Sequence, residues 1–339
     1  MDPTKKRAFG RVDLEVSEIS YGSAPIGNLF RVIRTEDARV LINDAWAHGV
    51  RYFDTAPMYG HGLSEHRLAS ELIDRPRDEF VYSTKLGRTL TPASPATFDA
   101  GAWVDVPHLR ADFDYSYDAA FRQLEDSLQR LMTDSVEIVF LHDADHYTHG
   151  PNQRTRFEEA IGGTVKAMLE MRDQGVVKAI GAGLNDADVL LEVVERADLD
   201  CLLIAGRYSL LDQENSHELM DLVSERNISV IAGGVFNSGI LATGSVAGAK
   251  FNYVQAPPEI LTKAAELSEV CNEFGVNLPA AAIQFAGAHP NVVSVCLGAR
   301  TLEQQQANYR FAQEAIPAEF WSTLRDRGLI ATWAPTPLG

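Results

Sequence analysis

The chain has 339 residues, with 30 Lys plus Arg against 47 Asp plus Glu and a formal net charge of −17 at pH 7. Hydrophobic residues make up 45% and charged residues 23%, which excludes a wholly disordered, collagen-like or coiled-coil chain. The acidic balance argues against nucleic acid or an anionic membrane as a partner, because Lys and Arg drive phosphate binding.

The cysteines and the lengths of the apolar runs indicate where in the cell the protein is expected to be located. Cys201, Cys271 and Cys296 each lie in an apolar run and form no C-x-x-C pair, so we expect reduced thiols. No apolar run approaches the roughly eighteen residues of a membrane span. The first seven residues are followed by no apolar stretch, so we expect no secretory signal and a cytoplasmic protein.

Short apolar strands alternate with helices along the chain. A hairpin is predicted first, from strands 7–9 and 14–16 around a turn at 10–13. Further strands are predicted at 19–21, 50–53, 80–84, 136–141, 177–180, 201–204, 228–232 and 292–297. Helical spacing predicts helices that begin at Thr35 and end at Gly49, begin at a capping Ser64, and span 117–131, 157–172, 187–195, 216–224, 259–274, 302–311 and 318–327.

Eight strand–helix units predict a (β/α)₈ TIM barrel, preceded by a β-hairpin and followed by an extra C-terminal helix. The strands are apolar on both faces, as buried parallel strands are. No low-complexity linker interrupts the pattern, so residues 1–339 are predicted to form a single domain. The stretches 88–114 and 236–256 are too long for ordinary connections. Because they follow strands, they should lie on the C-terminal face, where such barrels carry out chemistry.

Polar residues at the predicted strand ends suit proton transfer coupled to hydride transfer. Asp54, Lys85 and His142 follow the second, third and fourth barrel strands, and Tyr59 lies five residues beyond Asp54. A tyrosine has a free pKa of about 10, and a nearby ammonium should lower it. Asp54 would keep Lys85 charged and in place, while His142 would hydrogen-bond the same substrate oxygen as Tyr59.

The segments that hold these residues closely resemble the active-site motifs of the aldo-keto reductases. They are 53–60 (Phe-Asp-Thr-Ala-Pro-Met-Tyr-Gly), 83–87 (Ser-Thr-Lys-Leu-Gly) and 141–143 (Leu-His-Asp), and the resemblance runs from residue 17 to Asn308. It implies that Tyr59 is the general acid/base, that Lys85 and Asp54 tune it, and that His142 orients the substrate carbonyl. It also implies direct hydride transfer to or from NAD(P) without a metal.

The same resemblance implies the cofactor contacts, which are Asn185, Phe236, Gly298, Ala299, Arg300, Gln304 and Asn308. Asn185 is the candidate for the nicotinamide carboxamide. Phe236 is the candidate for stacking on the ring, because the usual aromatic position falls on a glycine. Members that prefer NADPH usually place an arginine where Gln304 stands, so only Arg300 remains to meet a 2′-phosphate. This favours NAD, or the use of both NAD and NADP.

Stretches 24–29, 141–145, 205–213 and 233–239 are similar to a narrower branch of the family. That branch contains D-threo-aldose 1-dehydrogenases (L-fucose dehydrogenases), plant L-galactose dehydrogenases and pyridoxal 4-dehydrogenase. The leading hypothesis is oxidation of the anomeric hydroxyl of an aldose, such as L-fucose, L-galactose or D-arabinose, to the lactone. The alternative is oxidation of pyridoxal to 4-pyridoxolactone with NAD. Trp103, in the long 88–114 stretch, is a candidate to line the pocket of either small-molecule substrate.

Two further alternatives stay open at the level of sequence. The first alternative is a non-catalytic NAD(P)-binding subunit, because some barrel relatives serve as channel subunits. A metal-dependent lyase is the other, because residues 142–146 (His-Asp-Ala-Asp-His), with His149 beyond, look like a metal cluster. They match no metal-binding spacing, so we expect no metal. The acidic composition is compatible with a monomer or an oligomer.

Overall fold

Eight parallel strands close into a barrel in the computed structural model, which describes residues 1–337. The strands of the chain are β1 (Lys6–Phe9), β2 (Val12–Ser17), β3 (Ile19–Gly22), β4 (Tyr52–Asp54), β5 (Val81–Leu86), β6 (Arg88–Pro92), β7 (Leu109–Phe113), β8 (Ile138–His142), β9 (Ala179–Leu184), β10 (Cys201–Ala205), β11 (Ser229–Gly233), β12 (Lys250–Phe251), β13 (Val254–Gln255) and β14 (Val292–Leu297). The barrel order is β3-β4-β5-β8-β9-β10-β11-β14, and β14 pairs with β3. The predicted TIM barrel is confirmed.

Helices surround the barrel. They are α1 (Thr35–Ala47), α2 (Leu63–Leu72), α3 (Tyr117–Leu131), α4 (His146–His149), α5 (Gln153–Ala160), α6 (Lys166–Asp173), α7 (Ala187–Arg196), α8 (His217–Glu225), α9 (Ile240–Thr243), α10 (Pro258–Phe274), α11 (Leu278–Ala286), α12 (Leu302–Gln313) and α13 (Ala318–Asp326). The extra C-terminal helix is therefore present as α13. Among residues 1–337, no helix combines the length and apolar character needed to cross a membrane. Residues 338 and 339 of the predicted single domain lie outside the described part of the chain.

The N-terminal hairpin closes the lower end of the barrel. Strands β1 and β2 pair antiparallel, as the sequence predicts. Phe9 and Val16 of this hairpin are buried in one apolar cluster with barrel residues such as Phe140, Leu203 and Ile231. Since the hairpin fills the N-terminal end, the open end for ligands is the C-terminal face.

Two predicted helices differ in detail from the observed ones. Helix α2 begins at Leu63 after Gly62, so Ser64 lies inside the helix and is not its cap. The hydroxyl of Ser64 instead lies 2.7 Å from the hydroxyl of Ser23 in the barrel wall. The helix predicted at 157–172 is split by a π-helical turn at Ile161–Val165. At that turn a Cβ on Gly163 would lie 2.2 Å from the carbonyl oxygen of Tyr115, so the helix passes against this backbone.

The two long connections contain structure that the hydrophobic pattern did not reveal. Within 88–114, strands β6 and β7 pair antiparallel. Within 236–256, α9 precedes the short pair β12–β13. Helix α11 was also missed, because its alanine-rich sequence is almost wholly buried and lacks a polar face to give a helical period.

A close contact between two glycines fixes the turn after β4. Gly60 has a φ of +66°, and a Cβ on it would lie 2.4 Å from the carbonyl oxygen of Gly27. The amide of Tyr59, the preceding residue, donates to the carbonyl of Ala56 at 3.0 Å. The position of Tyr59 therefore depends on a backbone approach that only glycine permits.

We expect Gly60→Ala to lower the free energy of unfolding by about 2–4 kcal/mol, through left-handed strain and the clash with Gly27. The matched control is Gly175→Ala, which has a φ of +72° but no atom within 4 Å of its Cβ. That change should cost only the strain, about 1–2 kcal/mol. Chemical unfolding of both variants measures the difference, and equal losses would contradict the contact.

Candidate active site

A buried ion pair joins the ends of two neighbouring barrel strands. Lys85 Nζ donates to Asp54 Oδ1 at 2.9 Å, to Asp54 Oδ2 at 2.8 Å and to the carbonyl oxygen of Thr55 at 2.7 Å. The hydroxyl of Ser83 donates to Asp54 Oδ1 at 2.7 Å. Asp54 is 2% and Lys85 1% exposed, so both charges are compensated within the protein rather than by water.

The structure brings all four predicted catalytic residues together at the C-terminal face. The ammonium of Lys85 lies 4.6 Å from the centroid of the Tyr59 ring and thus over its face. The His142 ring meets Tyr59 edge-on, with centroids 6.1 Å apart. Trp103, the predicted pocket residue, has its ring centroid 5.8 Å from that of Tyr59.

The electrostatics of Tyr59 differ from the prediction. Burial raises the pKa of Tyr59 well above its usual value of 10, and the carboxylates of Asp54 and Asp143 add to this rise. The prediction of a lowered pKa for Tyr59 is therefore wrong for this structure. The reason is that Asp54 offsets the charge of Lys85 and, with Thr55, accepts its three protons. Tyr59 is a neutral phenol at neutral pH and can donate a proton.

His142 ends β8 and is 7% exposed. Burial, followed by the charges of Arg88 and Lys85, holds its pKa well below the usual 6.5. Its Nδ1 lies 3.1 Å from a guanidinium nitrogen of Arg88. His142 is therefore a neutral imidazole at neutral pH, suited to hydrogen bonding rather than to carrying charge.

Arg88 and Asp143 belong to this site. The sequence did not mark Arg88, and it marked Asp143 only as part of the 141–143 motif and the 142–146 run. Arg88 pairs with Asp143 Oδ2 at 2.8 Å. Arg88 directly follows the strand-three motif and Asp143 directly follows His142, and those positions were the only available signal. Their side chains meet because the backbone of Asp143 turns through a φ of +53°.

The predicted cofactor residue Asn185 is held by Asp145, which the sequence marked only as part of the 142–146 run. Asp145 is completely buried and accepts the Asn185 backbone amide at 2.7 Å and its side-chain nitrogen at 3.3 Å. Arg207 donates to the Asn185 carbonyl at 2.6 Å. Asn185, the residue directly after β9, is thus held in place by Asp145 and Arg207.

The run at 142–146 is not arranged around a common centre. His149 Nε2 lies 3.0 Å from the hydroxyl of Tyr115, while the backbone amide of His146 donates to Asp186 at 2.8 Å. Among the side chains that the structure describes, which are those of residues 1–337 except Glu214, no group of three or more His, Cys, Asp or Glu is placed to hold a metal ion.

The predicted adenosine end lies where β14 leads into α12. A Cβ on Gly298 would lie 2.9 Å from the Gly22 carbonyl oxygen, so the backbones of β3 and β14 approach closely there. The side-chain oxygen Oε1 of Gln304 accepts a hydrogen bond from the backbone amide of Arg300 at 3.0 Å. The backbone amide of Gln304 donates to the Thr301 hydroxyl at 3.3 Å. Gln304 therefore shapes the loop at the start of α12.

The other predicted cofactor residues differ in exposure. Ala299 is 6% and Asn308 9% exposed. Phe236, beyond β11, is partly buried and packs against the main core. Its role as the aromatic residue that stacks on the nicotinamide stays a prediction.

Cations gather beside this loop and fit a phosphate-bearing nucleotide. Arg300 lies 5.9 Å and Lys250 5.3 Å from the centroid of the Phe30 ring. Burial and then the charge of Arg31 lower the pKa of Arg300. In the described part of the chain, none of these three cations forms an ion pair with a carboxylate, although the protein carries a net charge of −17. Cations that repel one another and have no carboxylate partner are suited to binding an anion.

Comparisons with known proteins agree with this geometry. Residues 18–327 match the aldo/keto reductase family. Pyridoxal 4-dehydrogenase from Microbacterium luteolum is 40% identical over 338 residues, covering 97% of this chain and 98% of that protein. D-threo-aldose 1-dehydrogenase from a Pseudomonas species is 37% identical over 330 residues, covering 96% and 98%. The holo structure of an aldo-keto reductase from Bacillus halodurans aligns with a TM-score of 0.75 at 24% identity, covering 97% of each chain, which supports the fold.

We expect Lys85→Met to lower the free energy of unfolding by about 3–5 kcal/mol, because it leaves the Asp54 carboxylate buried without its cation. The double variant Asp54→Asn/Lys85→Met should lose less than the sum of the single variants. Chemical unfolding of the four proteins measures this coupling. The control cycle on the exposed pair Arg34–Asp37, with side chains 74% and 48% exposed, should show almost no coupling. Additivity within about 0.5 kcal/mol at Asp54–Lys85 would contradict the interpretation.

Proposed function

The chain belongs to the aldo/keto reductase family, and from this premise we propose that it oxidises the hydroxyl of a cyclic hemiacetal to a lactone. The family match and the dehydrogenase relatives make it an NAD(P)-dependent oxidoreductase, so the expectation of an enzyme is confirmed. One observation carries the finer proposal: Tyr59 lies between Lys85, His142 and Trp103 at the open end of the barrel.

The proposed step divides the work between two side chains. NAD(P), which Asn185, Phe236 and the 298–308 segment would hold, would supply the hydride acceptor when bound. The Tyr59 phenolate, formed by prior loss of the phenol proton to solvent, takes the proton of the hemiacetal hydroxyl and becomes the phenol, and His142 hydrogen-bonds the same substrate oxygen as it becomes a carbonyl. The Asp54–Lys85 pair holds an ammonium against the Tyr59 ring, where its charge favours the proton-accepting phenolate against the larger opposing effects of burial and Asp54.

The polar side chains around the site already pair with one another, and this favours a flat substrate that needs few polar contacts. Arg88 is paired with Asp143, Asn185 with Asp145, and Arg207 with Asp212 at 2.8 Å, so these groups are already engaged. The rings beside them, Tyr59 and Trp103, present apolar surface that suits a pyridine. The sequence favours an aldose, whereas this geometry supports the cyclic form of pyridoxal as first candidate. An aldose is the second candidate, supported by the Asp143 carboxylate, which is 17% exposed and able to accept a sugar hydroxyl.

The cations support a proposal about the cofactor. Gln304 is engaged in its own loop and offers no charge, which favours NAD. Lys250 and Arg300 lie over one ring, Phe30, and Arg31 is near enough to Arg300 to lower its pKa. These cations supply positive charge for phosphate groups, which supports NADP as well. We propose that the protein uses both cofactors and NAD more readily. A cytoplasmic location is also proposed, since its cysteines are free thiols.

Initial rates of reduced-nicotinamide formation test the substrate. Pyridoxal, L-fucose, L-galactose and D-arabinose would each be assayed with NAD and with NADP. We expect the highest kcat/KM with pyridoxal and NAD. Fast sugar oxidation with slow pyridoxal oxidation would move the assignment to the aldose candidate. Inertness toward all four compounds would eliminate hemiacetal oxidation and leave the fold standing.

We expect Tyr59→Phe to lower kcat by about 10²–10⁴-fold while cofactor affinity stays unchanged, because only the proton-transferring hydroxyl is removed. Since the pKa of Tyr59 is raised above 10, the wild-type oxidation rate should increase with pH above neutrality as the phenolate forms. The control is Tyr147→Phe, which removes a hydroxyl from a 53% exposed ring. A rate lost equally in both variants, or kept in Tyr59→Phe, would contradict the role of Tyr59.

A further inference from the structure

Arg88 occupies a confined position behind the candidate site. It is 7% exposed, although it carries a full charge. Its guanidinium lies 3.1 Å from His142 Nδ1 and 2.8 Å from Asp143 Oδ2. The plane of the group also lies against the Phe113 ring, with the central carbon 4.2 Å from the ring centroid. These contacts on three sides hold the guanidinium in one orientation.

The chemistry of arginine decides which nitrogen of His142 carries the proton. A guanidinium remains protonated and has donors only, so the hydrogen bond between Arg88 and His142 makes Nδ1 the acceptor. In a neutral imidazole the proton then resides on Nε2. Nε2 lies 3.5 Å from Asp143 Oδ1, which is beyond ordinary hydrogen-bond length, so its proton remains available.

We propose that Arg88 is a positioning residue that fixes His142 as the neutral tautomer with its proton on Nε2. This inference rests on the proposed function, in which His142 donates a hydrogen bond to the reacting oxygen beside Tyr59. Without Arg88 the ring could place its proton on Nδ1 and present a lone pair to that oxygen. A lone pair would repel the oxygen rather than bind it.

The surrounding fold keeps Arg88 in this role. Arg88 opens β6, and its backbone pairs with Phe113 of β7, so the hairpin in the 88–114 stretch carries the guanidinium to the barrel rim. Asp143 balances its charge, which lets a cation remain buried beside an imidazole. The hydroxyl of Tyr115 donates to the carbonyl oxygens of His142 and Asp143 at 2.9 and 3.1 Å and so supports the turn that orients both side chains.

The two cations beside the His142 ring act in the same direction as its burial. Lys85 of β5, paired with Asp54 of β4, and Arg88 of β6 oppose a second proton on His142, while the neutral phenol of Tyr59 and the carboxylate of Asp143 complete its surroundings. With burial, the two cations hold the pKa of His142 well below 6.5. His142 therefore stays neutral through the pH range of activity, and the transferred proton belongs to Tyr59.

Nitrogen-15 NMR of the full chain with labelled histidine tests this inference. The signals of His142 are assigned by their loss in His142→Gln. In the wild type we expect a protonated Nε2, an unprotonated Nδ1 and no titration between about pH 5 and 8. In Arg88→Met the two tautomers should mix, and the pKa of His142 should rise from its wild-type position while burial and Lys85 still hold it below the ordinary value.

Kinetics supply the second readout. Arg88→Met should lower kcat by about 10²-fold, the size of one lost oriented donor, with the KM for the cofactor unchanged. Arg88→Lys keeps a cationic donor but lacks the planar guanidinium. Relative to Arg88→Met, it should therefore recover part of the rate and part of the Nε2–H signal. Asp143→Asn leaves the guanidinium on Nδ1 and should keep the wild-type tautomer even where stability falls.

Two results would overturn the proposal: a proton on Nδ1 in the wild type, or unchanged His142 signals in Arg88→Met. If Arg88→Met does not fold, the tautomers in Arg88→Lys and Asp143→Asn decide, since only a change at Arg88 should disturb the ring. The NMR readout needs no turnover. A wild type with the expected tautomer but without activity on any hemiacetal would therefore refute the proposed function and leave the role of Arg88 intact.

Discussion

The buried ion pair between Asp54 and Lys85 is the constraint around which the site is organised. Two charges less than 3% exposed are stable only if each meets the other and the remaining donors find acceptors. The hydroxyl of Ser83 and the carbonyl of Thr55 meet that condition, and both belong to the same two strand ends. Strands β4 and β5 must therefore stay in register, with Asp54 opposite Ser83, and this register places an ammonium under the Tyr59 ring.

The connections complete what the rigid strands begin. The contact of Gly27 with Gly60 sets the turn that carries Tyr59. The 88–114 stretch brings a cation behind His142 through its hairpin and an aromatic ring beside Tyr59 through Trp103. A third group of contacts, around Phe30, brings Lys250 and Arg300 together on an otherwise acidic protein. The barrel thus supplies precise positions, and the loops supply recognition.

The barrel and the meeting of the four candidate catalytic residues were predictable because each follows from position along the chain. Parallel strands end on one face, so polar residues directly after consecutive strands, such as Asp54, Lys85 and His142, must converge there. The hairpin β6–β7 and Arg88 were not predictable in this way. Their placement depends on pairing between residues about twenty positions apart and on the +53° turn at Asp143, which no local pattern encodes.

By itself, the sequence determined the eight-stranded barrel, the face that carries the site and the residue types available for proton transfer, because these depend on hydrophobic period and strand order. The tertiary structure alone decided how those residues are tuned. Lys85 was expected to lower the pKa of Tyr59, yet burial and the carboxylate of Asp54 raise it. Gln304 was read only as a missing charge, yet it organises a loop beside a cation cluster. Charge balance and burial are sums over neighbours from distant parts of the chain, and only the folded protein assembles those neighbours.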